Sequence, residues 1–429
     1  MGRAAVAGVF VLVVATTSSP RLAVGQVASP ALPGDAIDAS SSAEEAVGRG
    51  WALVRQGRFE DAFAVFRGAT RDAPEAASAF LGLGVALSGL GRSDEAVAAL
   101  RKAVRLQPDF ALARYSLGVA CEKAGRLDEA AEAFRAAARL KPGYAAAEYN
   151  LGVVYAKLGR SEDGITAYRR ALAAEPGHAD ALANLGALLG KAGRHGEALE
   201  AYERALAVRP GHVDARYGLG WTYARLGRWN EAVAAYMRTL ELEPRRAAAW
   251  IGLGLANDNL GRYTKAAEAY AQALRLRPDD TDALLGLGTT YGNLDRWADA
   301  LPALATVATL KKDDAGAQYS LGRAYAKVGR PAAAAEAYRR AVLLQPNHVA
   351  ALFGFGLSEV DLGRPAEAVQ AFRKAVALQP DHAPARFNLA LALLALGDAG
   401  GARDEHRVLR DLDPNLATQL ALRLPEPPP

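Results

Sequence analysis

The chain has 429 residues, 51% of them hydrophobic but only 7% aromatic, with a formal charge of +4. A single core stops growing at about 250 to 300 residues, so this length requires two or three globular domains or a repeat array whose units bury their faces against neighbours. The alanine-rich composition favours closely packed helices, and the balance of 51 basic and 47 acidic residues gives neither nucleic acid nor a membrane surface as the expected partner.

The opening stretch, "MGRAAVAGVFVLVVATTSSPRLAVGQ", has a basic start at Arg3, an uncharged run from Ala4 to Ala15 and small residues before Gln26. This is the layout of a secretory signal peptide over 1–25, with cleavage expected after Gly25; the alternative is an unstructured apolar start. The run is shorter than the roughly 20 residues that span a bilayer, so no membrane span is expected after cleavage. No cysteine lies near that point to accept a lipid, and Cys121, the single cysteine, can form no intrachain disulfide. It sits on the apolar side of its helix, where an inert buried thiol is expected. Residues 26–42, "QVASPALPGDAIDASSS", read as a flexible linker.

From there a 34-residue period governs the chain. Pro74, Pro108, Pro142, Pro176, Pro210, Pro244 and Pro278 follow one another at that interval; Lys312 interrupts, and Pro346, Pro380 and Pro414 resume in phase. With this proline as position 32 of each unit, eleven units cover 43–416: 43–76, 77–110, 111–144, 145–178, 179–212, 213–246, 247–280, 281–314, 315–348, 349–382 and 383–416. Position 8 is glycine from Gly50 through Gly356 and Ala390 in the last unit. Position 15 is glycine except at Asp295, position 20 is alanine except at Gly164, and position 24 is mostly aromatic, as in Phe66, Tyr168, Tyr270 and Phe372.

Positions 4, 7, 8 and 11 fall on one side of a first helix, and 20, 24 and 27 on one side of a second. The glycine at 15 ends the first helix and the proline at 32 stops the second. Small residues at 8 and 20 let the axes approach, so each unit is predicted to be a helical hairpin. The pattern resembles the tetratricopeptide repeat, a 34-residue helix-turn-helix with Leu-Gly, Ala, an aromatic and Pro at these offsets. That resemblance implies an all-α fold, a right-handed superhelical solenoid of antiparallel helix pairs. The first unit, with Arg49 at position 7, and the last, with His406 at position 24, have the more polar faces expected of array ends. Residues 417–429 are expected to form a short capping helix and a Pro-rich tail.

No catalytic constellation stands outside the array, so no enzyme activity and no cofactor are expected. The resemblance implies a concave wall lined by first helices at positions 2, 5, 9, 12 and 13, and the helical wheel puts these opposite the core stripe. Position 5 supplies Tyr115, Tyr149, Tyr217, Tyr319, Phe353 and Phe387, with Trp221 at position 9; position 13 supplies Arg55, Lys123, Lys157, Lys191, Arg225 and Lys327. Rings pointing away from the core beside long cations suit an extended protein or peptide segment; the alternative is that these rings pack on the adjoining unit. The wall also changes sign, from Lys123, Lys157, Lys191, Arg225, Arg245 and Arg246 to Asp258, Asp279, Asp280, Asp313 and Asp314, unless those acids are solvated turns.

The family's terminal-carboxylate clamp is not expected, since Asn150, Asn184 and Asn388 occupy position 6 but position 9 holds no asparagine. His178, His212, His348 and His382 recur at position 34 and read as turn residues, because one metal cannot be reached from successive stacked units. The eighth unit combines Asp295, Pro302, Val307 and Lys312, and a bend or soft joint is expected at 295–314. The resulting reading is an exported, bacterial-type scaffold, periplasmic or extracellular, that binds a protein segment and organises an envelope or secretion complex. Alternatives are recognition of an envelope polysaccharide by the aromatic ladder, or an accessory subunit of a separately encoded polymer-synthesis enzyme.

Overall fold

The computed structural model describes residues 40–425, so the expected signal segment, most of the expected linker and the last four residues lie outside the described residues. The described chain is helical, in the order α1 (Ser40–Arg55), α2 (Phe59–Asp72), α3 (Ala77–Gly89), α4 (Ser93–Leu106), α5 (Ala111–Lys123), α6 (Leu127–Leu140), α7 (Ala145–Lys157), α8 (Ser161–Ala174), α9 (Ala179–Lys191), α10 (His195–Val208) and α11 (Val213–Arg225). It continues with α12 (Trp229–Leu242), α13 (Ala247–Asn259), α14 (Tyr263–Leu276), α15 (Thr281–Asn293), α16 (Trp297–Leu310), α17 (Ala315–Lys327), α18 (Pro331–Leu344), α19 (Val349–Asp361), α20 (Pro365–Leu378), α21 (Ala383–Ala395), α22 (Ala399–Leu412) and the cap α23 (Pro414–Ala421). The chain divides into two compact bodies at the Arg228–Trp229 junction. In each, antiparallel helix pairs stack on their neighbours as a tetratricopeptide solenoid.

The repeat explains every boundary. First helices end when position 15 enters the left-handed region, with glycine φ between +69° (Gly261) and +82° (Gly397). The next amide then reaches back to the carbonyl of position 11, as Arg126 N–H does to Cys121 O at 2.8 Å, which satisfies a carbonyl the helix end leaves open. Second helices close on an extended residue before the proline, as at Gln107, φ −135° and ψ 92°. A proline keeps the residue before it extended, out of the helical region.

One interlock joins successive hairpins. Where the next position 6 is glycine, the ring at position 24 is pinned between that glycine and position 8 of its own first helix, as for Phe66, Tyr202, Tyr270 and Tyr338. A Cβ added at Gly322 would stand 2.7 Å from Tyr338 Cδ1, and one at Gly354 only 2.6 Å from Tyr338 Cζ. Tyr338 is 4% exposed. Where position 24 is leucine, at Leu100 and Leu304, the next position 6 is serine, at Ser116 and Ser320. At the remaining ring junctions, after Phe134, Tyr168 and Phe372, the next position 6 is asparagine, at Asn150, Asn184 and Asn388, so the glycine gap is a feature of particular junctions.

The eighth unit keeps this geometry despite its substitutions. Asp295 occupies the glycine site at φ +57°, the one non-glycine with positive φ among the described residues. Its Oδ1 accepts from Trp297 Nε1 at 2.8 Å, and Arg296 N–H still reaches Tyr291 O at 2.8 Å. Helix α16 runs through Pro302 at the same 14-residue length as α14 and α18, and its end at Lys311, φ −111° and ψ 56°, departs from the extended caps of those helices. Gln318 adds a buried bond, its Nε2 donating to Ala308 O at 3.0 Å across the junction to the ninth unit. Left-handed backbone costs an ordinary residue about 1 to 2 kcal/mol. Asp295→Ala should therefore lower unfolding stability by about 1 to 2 kcal/mol, whereas Asp295→Gly, trading the hydrogen bond for free φ, should stay within about 0.5 kcal/mol in urea titrations.

Candidate peptide-binding wall

First-helix residues at positions 2, 5, 9, 12 and 13 make up the candidate wall of each body, and the two bodies differ in how these charges are held. In the N-terminal body Lys123 Nζ donates to Ser88 O at 3.3 Å and Lys157 Nζ to Glu122 Oε1 at 2.7 Å, each reaching position 12 of the preceding repeat. Arg225 lies 5.8 Å from the Trp221 ring centroid, and His195 meets that ring edge-on at 6.0 Å. Lys191 and Arg55 are exposed at repeat-equivalent places. In the C-terminal body Lys327 is exposed and Arg323 lies 5.3 Å from the Trp297 centroid and 5.9 Å from that of Tyr319.

The position-5 rings do not stand free on this wall. Tyr115 is 8% exposed, wedged between Phe134 at 5.7 Å and Tyr144 at 5.2 Å. Tyr149 packs on Tyr168 at 5.9 Å and on His178 at 4.7 Å; Tyr319 and Phe353 repeat the arrangement with Tyr338 and His348, and with Phe372 and His382. Phe387 lies under Arg423, 6.0 Å from its guanidinium carbon, and Tyr217 is half-buried. The wheel puts position 5 opposite its own core stripe, but the ring of position 24 is large enough to reach it around the helix. Burial pushes the Tyr149 hydroxyl up to about 12.

Two asparagines that bear on the clamp have local employment. Asn150 Nδ2 donates to Tyr115 OH at 3.0 Å and Asn184 Nδ2 to Tyr149 OH at 3.3 Å, tying each ring to the next repeat. Asn388, facing Phe353 in the preceding repeat, turns to Pro384 O at 2.8 Å.

Position 34 is the N-cap of the following first helix. His178, His348 and His382 accept through Nδ1 from the amides of Ala181, Ala351 and Ala385 at 3.2, 3.3 and 3.0 Å. His212 does the same for Ala215 at 3.3 Å and places Nε2 3.2 Å from Asp180 Oδ1. The His212 bond, aided by Arg209, holds the Asp180 carboxyl below the usual range against its partial burial. Asp280 and Asp314 cap their helices in the same way. These two acids are therefore turn caps and not wall charges, and Arg246, at the same position, bonds Glu243 at 3.1 Å. Side-chain oxygens and the neutral imidazole nitrogen both satisfy the open amides of a helix start.

Asp258, unlike Asp280 and Asp314, occupies a candidate wall position, position 12 of its unit. Thr290 Oγ1 donates to its two carboxylate oxygens at 2.9 and 2.8 Å, across the junction of the seventh and eighth repeats. Burial, offset in part by Thr290 and Tyr270, pushes its carboxyl up to about 6. Cys121 is buried, with its thiol raised to about 11, unsuited to nucleophilic work.

One charged column escaped the sequence reading. Position 16 is arginine in ten of the eleven units, Arg58 through Arg364. In the structure these residues form a ladder along the turn edge. Arg160 pairs with Asp163 at 2.7 Å while its guanidinium covers the Tyr155 ring at 4.5 Å, and Arg126 crosses to Asp94 of the preceding repeat at 2.6 Å. The recurrence itself was the available signal. Among the described residues no three His, Cys, Asp or Glu side chains gather to hold a metal ion, and no helix is long and apolar enough to cross a membrane.

Stacked hairpins with an open, charged wall and no enclosed reaction centre among the described residues define a helical-repeat scaffold. A family model described as tetratricopeptide repeat matches residues 47–88, 86–145 and 353–417, and one described as the C-terminal domain of cilia and flagella-associated protein 70 matches 143–352. The chain belongs to the tetratricopeptide repeat proteins. Solved structures similar to it include YrrB, titled as a TPR protein with an unusual peptide-binding site, at 24% identity over 44% of this chain and 96% of that one, TM-score 0.42. Another is the Cut9–Hcn1 assembly, at 16% identity over 90% of this chain and 97% of that one, TM-score 0.42. A third is a tetratricopeptide repeat protein from Parabacteroides merdae, at 21% identity over 57% and 97%, TM-score 0.43. No curated protein matches the chain.

Proposed function

We propose that this protein is an exported scaffold, periplasmic or extracellular, whose wall of first helices holds a segment of a partner protein and thereby organises an envelope or secretion complex. Export rests on the signal layout of residues 1–25. The binding half rests on one observation, the run of position-13 cations Lys123, Lys157, Lys191 and Arg225, one per repeat, all exposed at the ends of consecutive first helices. Cations recurring one repeat apart, with Lys157 shared with Glu122, present positive charge to an acidic chain, which is the arrangement that sets orientation and on-rate in association.

The test is capture from the native envelope fraction with the full exported chain, comparing it with the Lys157→Glu, Lys191→Glu, Arg225→Glu triple variant. The expected result is a mature N-terminus near Gln26 and a partner retained by the native chain and lost, by about tenfold or more, by the triple variant, with a reduced dependence on salt. An intact Met1 on the soluble mature protein would remove export, and undiminished capture by the variant would remove the wall.

A further inference from the structure

We infer that the wall of the C-terminal body holds a two-part docking site on α17 and α19 for a partner segment that carries carboxylates followed or preceded by large apolar side chains. This inference rests on the scaffold reading above and assigns the subsite within it.

The polar half is on α17. Arg323 and Lys327 lie four residues apart, hence on one helix face, and both are exposed. Neither has a hydrogen bond or ion pair among the described residues, in contrast to Lys123 and Lys157, which are tied to Ser88 and Glu122. Arg323 is nonetheless positioned, because its guanidinium lies against the rings of Trp297 at 5.3 Å and Tyr319 at 5.9 Å. Trp297 is itself fixed, by its indole N–H on Asp295 and by the close approach of Gly292, where an added Cβ would stand 2.9 Å from its Cη2. A ring-held guanidinium with its donors unused is pre-organised for a carboxylate, which it can engage through two parallel N–H groups. The ε-ammonium of Lys327 adds a second positive charge beside it.

The apolar half is on the next first helix. Leu357 and Val360 of α19 are 36% and 44% exposed, at the wall positions equivalent to Arg323 and Ala326 one repeat earlier. Leu391 and Leu394 continue the apolar surface on α21, half-buried. Stacked helix axes lie about 8 to 10 Å apart, which an extended chain covers in about three residues. Charge complementarity therefore selects acids for the α17 side, and the exposed leucine and valine select large apolar side chains about three residues away. A basic segment fails the α17 half and a wholly polar segment fails the α19 half, so neither engages both.

Fluorescence anisotropy with the full exported chain and three labelled hexapeptides tests this: three glutamates followed by three leucines, the lysine counterpart with three leucines, and three glutamates followed by three serines. Only the first should bind measurably in low salt. Arg323→Glu with Lys327→Glu should weaken it by about tenfold or more, while Lys191→Glu changes it less than about threefold. Both side chains are exposed, so circular dichroism should show the variants folded as the native chain. Equal binding of the lysine or serine peptide, or indifference to the Arg323 and Lys327 reversals, overturns the proposal. If the glutamate–leucine peptide is instead lost with the Lys157, Lys191 and Arg225 triple variant, the subsite falls and the wall reading stands.

Discussion

Gly354→Ser should cost this protein about 2 to 3 kcal/mol of stability, although replacing a helical glycine ordinarily gains up to about 1 kcal/mol. The sign reverses because Gly354 faces Tyr338 of the preceding repeat with no room for a Cβ, 2.6 Å from ring carbon Cζ. The ring has little room to retreat, since it also lies close over the backbone of Gly322, where an added Cβ would stand 2.7 Å from Cδ1, so the α18–α19 junction is expected to open instead. Leu304 followed by Ser320 shows the same junction solved with a smaller pair in the same body. Tyr338→Leu should accordingly rescue Gly354→Ser. Tyr338→Leu alone costs a cavity, and the double-mutant cycle should return a coupling of at least about 1.5 kcal/mol. Additive effects in urea titrations would contradict the interlock.

Asp258→Asn should stabilise the protein at pH 8 and have no such effect at pH 4. The native carboxyl, pushed up to about 6 against an ordinary 3.8, is favoured in its protonated form by folding. The sign follows by linkage: the folded state binds the proton more tightly, so the associated stability is fully present below about pH 3.8 and is lost as pH rises through about 6. A shift of about two units corresponds to about 3 kcal/mol, and because the group is about a third exposed, solvent screening reduces the expected gain at pH 8 to about 1 to 2 kcal/mol. The amide has no charge to desolvate and keeps Thr290 as a partner. The groups that face this side chain are Thr290 from α15 and Tyr270 from α14, and neither supplies a cation. Unfolding midpoints for both proteins between pH 4 and pH 8 should diverge on the alkaline side; parallel curves would mean that the carboxyl titrates normally.

Much of the architecture was legible in the residues because it is written eleven times. Gly57 through Gly397 at position 15 and Pro74 through Pro414 at position 32 specify backbone states that few other residues accept, so they mark turns whatever surrounds them. Asp295 and Lys312, which break that pattern, were rightly noticed. At these breaks a side-chain bond from Trp297 and an added bond from Gln318 hold the turns locally. The position-16 arginines were as regular as the glycines and were passed over, charged residues at turns being read as solvated.

The wall was less legible, for a physical reason. A helical wheel states which way a side chain leaves its own helix and says nothing of what the neighbouring repeat brings to meet it. Tyr115, Tyr149, Tyr319 and Phe353 leave on the wall side but are met by position-24 and position-34 rings. Asp280 and Asp314, left by spacing as either wall acids or turn residues, are helix caps, and Arg323 lies against the Trp297 and Tyr319 rings without a polar partner.

By itself, then, the sequence determined the period, the hairpins, their boundaries and the family, since these depend on local backbone preference and on apolar spacing within one unit. Only the tertiary structure decided which wall side chains are free. That depends on the juxtaposition of residues 35 positions apart, where a hydrogen bond such as Asn150 to Tyr115, or an ion pair such as Lys157 to Glu122, supplies a partner to a group that spacing alone would leave unpaired.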